Sequence, residues 1–160
     1  MKYKILLRLK KLLATVILSC IIIKTMIVLI CKSESLKKYI DKLPNIAFDL
    51  IESWDKPLTI VYDGAMNIAK NLISDDNSVA IRVSKDEFSQ KVIDRLGKPL
   101  VSTSANKSGE KPPIFFKNID QEILDGVDHV VDLFHDSLNE VKPSTIIRLH
   151  QDGNFEVLRP

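Results

Sequence analysis

Lys98-Pro99-Leu100-Val101-Ser102-Thr103-Ser104-Ala105-Asn106-Lys107-Ser108-Gly109 is the stretch from which the fold is read. Pro99 can open a strand because the first residue of a strand need not donate to the ladder. Leu100 to Thr103 follow it with the apolar and β-branched side chains that suit a pleated surface. The next six residues are small or polar and end on a glycine, which makes them a turn. Ser102, Thr103, Ser104 and Ser108, with Asn106, set four hydroxyls and an amide at the end of that strand. Such a strand end can present donors to a carboxylate or a phosphate. It can equally be a hydrogen-bonded turn, since these are the residues that turns are made of.

Upstream, Ser84-Lys85-Asp86-Glu87 reads as a capping box for a helix to about Leu96, with Gly97 just past its end. Ser78 to Val83 is a strand, and so is Leu58 to Tyr62, opened by Pro57 and stopped by Asp63-Gly64. Ala65 to Leu72 between them reads as a helix. Two more helical patterns run from Ser33 or Ser35 to Leu43, where Pro44 interrupts, and from Asn45 to about Trp54, with Ile46, Leu50 and Ile51 on one face. Downstream, Asn118 with Gln121 caps a short helix to Asp125, which Gly126 stops. Extended runs cover His129 to Leu133, Ser144 to Leu149 and Phe155 to Leu158. The last two are joined by Gln151-Asp152-Gly153-Asn154, too short for a parallel crossover, so the architecture is mixed α/β with a partly antiparallel sheet.

At 160 residues, 45% hydrophobic and 28% charged, the chain has apolar side chains enough for one globular core; disorder, collagen-like repeats and a disulfide scaffold are excluded. The net charge of +2 is unevenly spread: residues 1–40 carry nine bases and one acid, and the remaining 120 carry 14 bases and 20 acids. Leu12 to Cys31 holds a single charge, Lys24, behind Lys2, Lys4, Arg8, Lys10 and Lys11. That outline fits a membrane anchor through 12–31. Against it, a charge past mid-span costs about 2.5–3.5 kcal/mol on insertion scales, and Met26 to Cys31 has the length and composition of a buried strand. Both readings, an anchor and a buried helix plus strand, stay open on the residues alone. A signal peptide fits poorly, because no small-residue cleavage site follows.

Cys20 and Cys31 show no CxxC spacing and indicate a reduced, intracellular chain. His129, His135 and His150 show no metal-ligand spacing, so no zinc site is expected. The sequence contains no P-loop, no dinucleotide-binding glycine motif, no nucleophile elbow, no kinase motif and no internal repeat. Beyond the polar turn, the candidates for chemistry are Pro143-Ser144-Thr145 at the head of a strand and two arginines, Arg82 and Arg159, each beside apolar strand residues. A long cation near the end of a core strand needs an anionic partner, either a structural carboxylate or a ligand phosphate.

Four further segments stand around the Lys98 to Gly109 stretch: Lys56-Pro57-Leu58-Thr59-Ile60-Val61, Val79-Ala80-Ile81-Arg82-Val83, Pro143-Ser144-Thr145-Ile146-Ile147 and Val157-Leu158-Arg159. In that order they closely resemble the YrdC-like threonylcarbamoyl-AMP synthases, over roughly Met26 to Pro160. The resemblance implies the YrdC-like fold, a twisted mixed α/β sheet with flanking helices and a concave, positively lined cavity. It implies a domain over 26–160 with the N-terminal part of the fold missing or replaced by an atypical basic and apolar segment, 1–25. The implied enzyme is cytoplasmic and forms threonylcarbamoyl-AMP and pyrophosphate from ATP, L-threonine and bicarbonate. Mg2+ accompanies the ATP, and the product serves threonylcarbamoyladenosine formation on tRNA. By the same resemblance, Ser104 and Asn106 are the Ser-x-Asn pair near threonine and the nucleotide phosphate, and Ser102, Ser144, Arg82 and Arg159 line the same cavity. No catalytic residue is assigned; tRNA or other tRNA-modification proteins are the implied partners.

The sequence departs from the family ahead of Met26, where relatives carry a Pro-Thr-Asp-Thr-x-Tyr-Gly-type segment and a Lys-x-Arg motif. Arg8-Leu9-Lys10 supplies neither. Val83-Ser84 follows Arg82 where Pro and His are common, and Val141-Lys142 stands where Gly often precedes Pro-Ser-Thr. A truncated or frame-shifted reading frame would explain the first departure. Three functions therefore compete: an active synthase, an inactive remnant that only binds nucleotide or RNA, and a membrane-tethered binding protein. For the synthase, Met26 to Cys31 is expected to be a buried strand beside Leu58 to Tyr62. Arg82, Ser104, Asn106, Ser144 and Arg159 are expected on one concave surface.

Overall fold

The computed structural model describes residues 6–7, 26–107, 109–133 and 144–160. The strands in chain order are β1 (Leu6–Leu7), β2 (Ile27–Ile30), β3 (Leu58–Asp63), β4 (Ser78–Val83), β5 (Leu100–Ser102), β6 (His129–Val130), β7 (Thr145–Leu149) and β8 (Phe155–Arg159). The α-helices are α1 (Ile46–Ser53), α2 (Glu87–Leu96) and α3 (Gln121–Asp125). The described residues fall into two compact units, one made of 26–101 with 144–160 and one made of 6–7, 102–107 and 109–133.

The larger unit is built on a six-stranded mixed sheet in the order β5-β2-β4-β3-β7-β8. β2 runs parallel to β4 and β3 parallel to β7, whereas β3–β4 and β7–β8 are antiparallel. Register decides the faces, because successive side chains alternate across a strand. Ile60 stands opposite both Ile81 and Ile147, and Tyr62 opposite Val79 and Leu149. These residues, with Leu58, Val28 and Ile30, pack under Leu36, Ile40, Ala47 and Leu50 to form the core. Ala47 and Leu50 come from one face of α1, as the apolar spacing requires. Each buried aliphatic or aromatic side chain contributes about 1.5–3 kcal/mol. The alternation leaves Thr59, Asp63, Ser78, Arg82 and Arg148 to the opposite face.

β2 is buried as expected, but its neighbour is β4, with Leu29 opposite Arg82, and not Leu58 to Tyr62. β3 and β4 are both central apolar strands, and hydrophobic pattern cannot say which of two such strands takes a third as its partner. Ala65 to Leu72 is not a helix apart from the 3-10 turn Lys70–Leu72. Its backbone is claimed elsewhere: the Met66 N–H donates to the Tyr39 carbonyl at 2.8 Å. Asn67, with a left-handed φ of 54°, donates its Nδ2 to the Lys38 carbonyl. The run from Ser33 likewise winds as a 3-10 helix, Ser33–Lys38.

α2 begins later than the capping box predicts. The Ser84 N–H is bound to the Ile30 carbonyl at 2.9 Å as an extension of the ladder, so Asp86 becomes the cap and accepts from the Ser89 N–H at 2.8 Å. Gly97 ends the helix in the left-handed region, φ 65°, donating to the Ile93 carbonyl. In the smaller unit β1 pairs with β6, and α3 is capped by Asp120 rather than Asn118.

One end of the polar sheet face carries an ionic network. Arg148 Nη2 donates to Asp63 Oδ1 at 2.7 Å and to Asp76 Oδ2 at 2.9 Å. The Ser78 hydroxyl, then Arg148, hold the Asp76 carboxyl below its usual range. A depressed folded pKa gives stability that is present above the unfolded value and lost as pH falls through the folded one. Asp76→Asn is expected to lower unfolding free energy at neutral pH by about 0.2–1 kcal/mol, the range for exposed pairs, with the difference closing at an acid pH below the ordinary carboxylate range. Thermal melts at the two pH values check this, and an equal difference at both would contradict it.

Candidate functional site

At the other end of that face a hydroxyl pair holds a guanidinium. Arg82 lies next to the end of β4, and the antiparallel register that sets Ile81 against Ile60 brings it to Thr59. Thr59 is fully buried and Arg82 is 8% exposed. Arg82 Nε and Nη2 donate to Thr59 Oγ1 at 2.9 and 2.7 Å, and Nη2 donates to Ser144 Oγ at 2.6 Å. The two hydroxyl oxygens are 3.1 Å apart. Ser144 reaches them because β7 runs parallel to β3, with the Thr145 N–H bound to the Pro57 carbonyl at 3.0 Å.

Arg159 comes to the same serine from β8. The ladder between β7 and β8 shifts register between Ile146 and Ile147, and such a bulge re-aims the side chains beyond it. Arg159 Nε and Nη2 donate to the Ser144 carbonyl at 3.1 and 2.9 Å, and Nη2 lies 3.3 Å from Ser144 Oγ. Two guanidiniums thus share one hydroxyl oxygen. Like charges at this range repel, and a di- or polyanion placed between them converts the repulsion into binding energy.

In the smaller unit, Ser102 is half-buried and Ser104 is exposed. Ala105 is buried in the left-handed region, φ 53°, with its N–H donating to Thr103 Oγ1. Asn106 Nδ2 donates to the carbonyls of Lys107 at 3.0 Å and Glu110 at 2.8 Å. Both neighbours are acceptors, so the amide has one satisfactory orientation. Its Oδ1 faces away from them, buried and without a hydrogen-bond partner among the described residues.

Of the six residues singled out from the sequence, the structure gathers Arg82, Ser144 and Arg159 into one cluster, while Ser102, at the end of β5, and Ser104 and Asn106, in the loop after it, belong to the other unit. Thr59 was missed, because a lone threonine inside an apolar strand takes its role only from the strands that become its neighbours. Among the described residues no group of three or more His, Cys, Asp or Glu could hold a metal ion. No described helix is long and apolar enough to cross a membrane. Of the anchor considered for 12–31, residues 12–25 lie outside the described residues and Ile27–Ile30 is β2.

Residues 22–160 match the family model Sua5/YciO/YrdC, whose description is telomere recombination. The chain belongs to the Sua5/YciO/YrdC family. A threonylcarbamoyl-AMP synthase of Pseudoalteromonas translucida (strain TAC 125) is 32% identical over 100 residues, 61% of this chain and 54% of that protein. The matched segment therefore spans about half the length of that Sua5/YciO/YrdC relative. P. abyssi Sua5 complexed with L-threonine superposes with a TM-score of 0.74 at 21% identity, covering 94% of this chain and 45% of that one. E. coli YciO superposes with a TM-score of 0.61 at 25% identity, covering 84% and 65%. The Sua5/YciO/YrdC fold is thus the mixed six-stranded α/β sheet described above.

In this Sua5/YciO/YrdC chain, Thr59→Val and Ser144→Ala each withdraw an acceptor from a buried guanidinium. Each is expected to lower unfolding free energy by about 1.5–3 kcal/mol, the range for hydrogen bonds to charged groups. The double substitution is expected to cost less than the two singles together, because both hydroxyls serve one cation. Urea denaturation of the four proteins measures this, and strict additivity would show that the hydroxyls act separately.

Proposed function

We propose that this chain is an L-threonylcarbamoyladenylate synthase, which forms threonylcarbamoyl-AMP and pyrophosphate from ATP, L-threonine and bicarbonate. The observation that carries this reading is the convergence of Arg82 and Arg159 on Ser144 in a fold shared with a relative of that name. In the reaction the threonine amine adds to bicarbonate with loss of water, giving a carbamate. A carbamate oxygen then attacks the α-phosphorus of ATP, and pyrophosphate leaves. The protein's part is to position reactants and to stabilise charge on the phosphates. Arg82 and Arg159 would do the second, with Thr59 and Ser144 fixing the guanidinium planes so that no reorganisation is needed as charge develops.

We further propose Ser102, Ser104 and Asn106, by the family resemblance, as ATP- or threonine-binding residues on the smaller unit. The unpartnered atom of Asn106 is an acceptor, so it suits the ammonium or hydroxyl of threonine better than a phosphate oxygen. The proposed donors are guanidinium and hydroxyl groups, which fit phosphate and carboxylate oxygens. Mg2+ would arrive on the triphosphate as part of the substrate. We assign the synthase domain to 26–160, treat 1–25 as a separate segment, and place the reaction in the cytoplasm, upstream of threonylcarbamoyl transfer to tRNA.

The sequence contains no Lys-x-Arg. One preorganised donor to a transition-state oxyanion is worth about 10²–10³ in rate, so turnover is expected to be slow by at least that factor relative to synthases that carry the motif. The full chain is expected to release pyrophosphate from ATP only when threonine and bicarbonate are both present. Arg82→Met and Asn106→Ala are each expected to remove most of that release. Release that ignores threonine, or that survives both substitutions, would contradict the assignment.

A further inference from the structure

We infer that Lys107 is the positioning residue for Asn106, held in place by a two-carboxylate clamp at the start of α3. This rests on the synthase reading for its catalytic consequence, but its geometry stands within one compact unit. The Lys107 carbonyl accepts from Asn106 Nδ2 at 3.0 Å and from the Glu110 N–H at 3.1 Å. Lys107 therefore supplies one of the two acceptors that orient the Asn106 amide, and with Glu110 it closes the turn that supplies the other. Its side chain reaches out of that turn. Nζ lies 2.8 Å from Asp120 Oδ2 and 2.6 Å from Glu122 Oε2.

One residue thus joins the loop that carries Ser104 and Asn106 to the first turn of α3. Asp120 divides its two oxygens between the two tasks: Oδ1 caps the helix by accepting from the Glu122 N–H at 2.8 Å, and Oδ2 takes Lys107. The ion pair holds the Lys107 ammonium above and the Asp120 carboxyl below their ordinary ranges, so both stay charged at neutral pH. Exposed ion pairs contribute little to global stability, whereas small displacements of a binding group cost much in rate. The clamp is expected to act on the site more than on the fold. The left-handed backbone of Ala105 leaves the loop dependent on such outside support, since that conformation is disfavoured for a residue with a Cβ.

Asp120→Asn, made throughout together with Glu122→Gln because either carboxylate alone still holds the ammonium, isolates the effect: the retained Oδ1 of residue 120 keeps the helix cap while no carboxylate remains on Lys107. In the full chain, Lys107→Met and the Asp120→Asn, Glu122→Gln pair are each expected to lower kcat roughly tenfold, short of the hundredfold that a misplacement of about 1 Å costs. Melting temperature should stay nearly constant, Lys107→Met combined with the pair should be no worse than either alone, and Lys107→Arg should restore most of the rate. A second readout does not depend on activity. The Asn106 side-chain amide resonances, assigned with Asn106→Ala, should shift toward those of a free amide in Lys107→Met and in the Asp120→Asn, Glu122→Gln pair but not in Lys107→Arg. Unchanged amide resonances in all three variants would overturn the inference. If the unaltered chain shows no threonine-dependent pyrophosphate release while the amide resonances move as expected, the clamp stands and the synthase reading falls.

Discussion

A guanidinium leaves water only where its N–H groups find acceptors, and the larger unit is arranged around meeting that need for Arg82. Thr59 on β3 and Ser144 at the head of β7 are the hydroxyls that do so. They can stand together only if β3 lies between β4 and β7 with this register. A slip of one residue would turn Thr59 to the core face and set an unsatisfied charge against Leu58 or Ile60. The polar cluster therefore specifies strand order and register, which the hydrophobic core alone leaves open, while the core supplies most of the stabilisation.

The same requirement shapes the chemistry. The Thr59 and Ser144 hydroxyls fix the Arg82 guanidinium, and the bulge that carries Arg159 to Ser144 adds a second cation at the same point. Charge gathered in this way is costly to a fold and useful to an enzyme that handles phosphates. The other end of the polar face behaves differently. There Arg148 is matched by Asp63 and Asp76, and the charges hold strands and turn together.

Much of this was readable in the sequence. Lys98 to Gly109 announced a strand ending in a polar turn, and β3, β4, β7 and β8 fell close to the runs read from β-branched residues. Arg82, Ser144 and Arg159 were picked out by charge or hydroxyl at strand ends. What failed did so for identifiable reasons. Ala65 to Leu72 has helical composition, yet the Ala65 and Met66 N–H groups bond to the Asn77 and Tyr39 carbonyls and the Asn67 side chain to that of Lys38. Ser84 has the right partner for a capping box, yet the sheet takes its N–H first. The partner of β2 and the role of Thr59 depend on strand neighbours, which local pattern does not encode.

The proposed synthase activity requires that Arg82 and Arg159 together meet the phosphates of ATP. The chain has five arginines, so their Nε–H signals in a nitrogen-correlated NMR spectrum can be assigned by single Arg→Lys substitutions. On titration with ATP, the signals of Arg82 and Arg159 should shift together with one dissociation constant, while those of Arg95 and Arg148 stay in place. Shifts confined to Arg95 or Arg148, or a titration that leaves Arg82 and Arg159 unmoved, would contradict it.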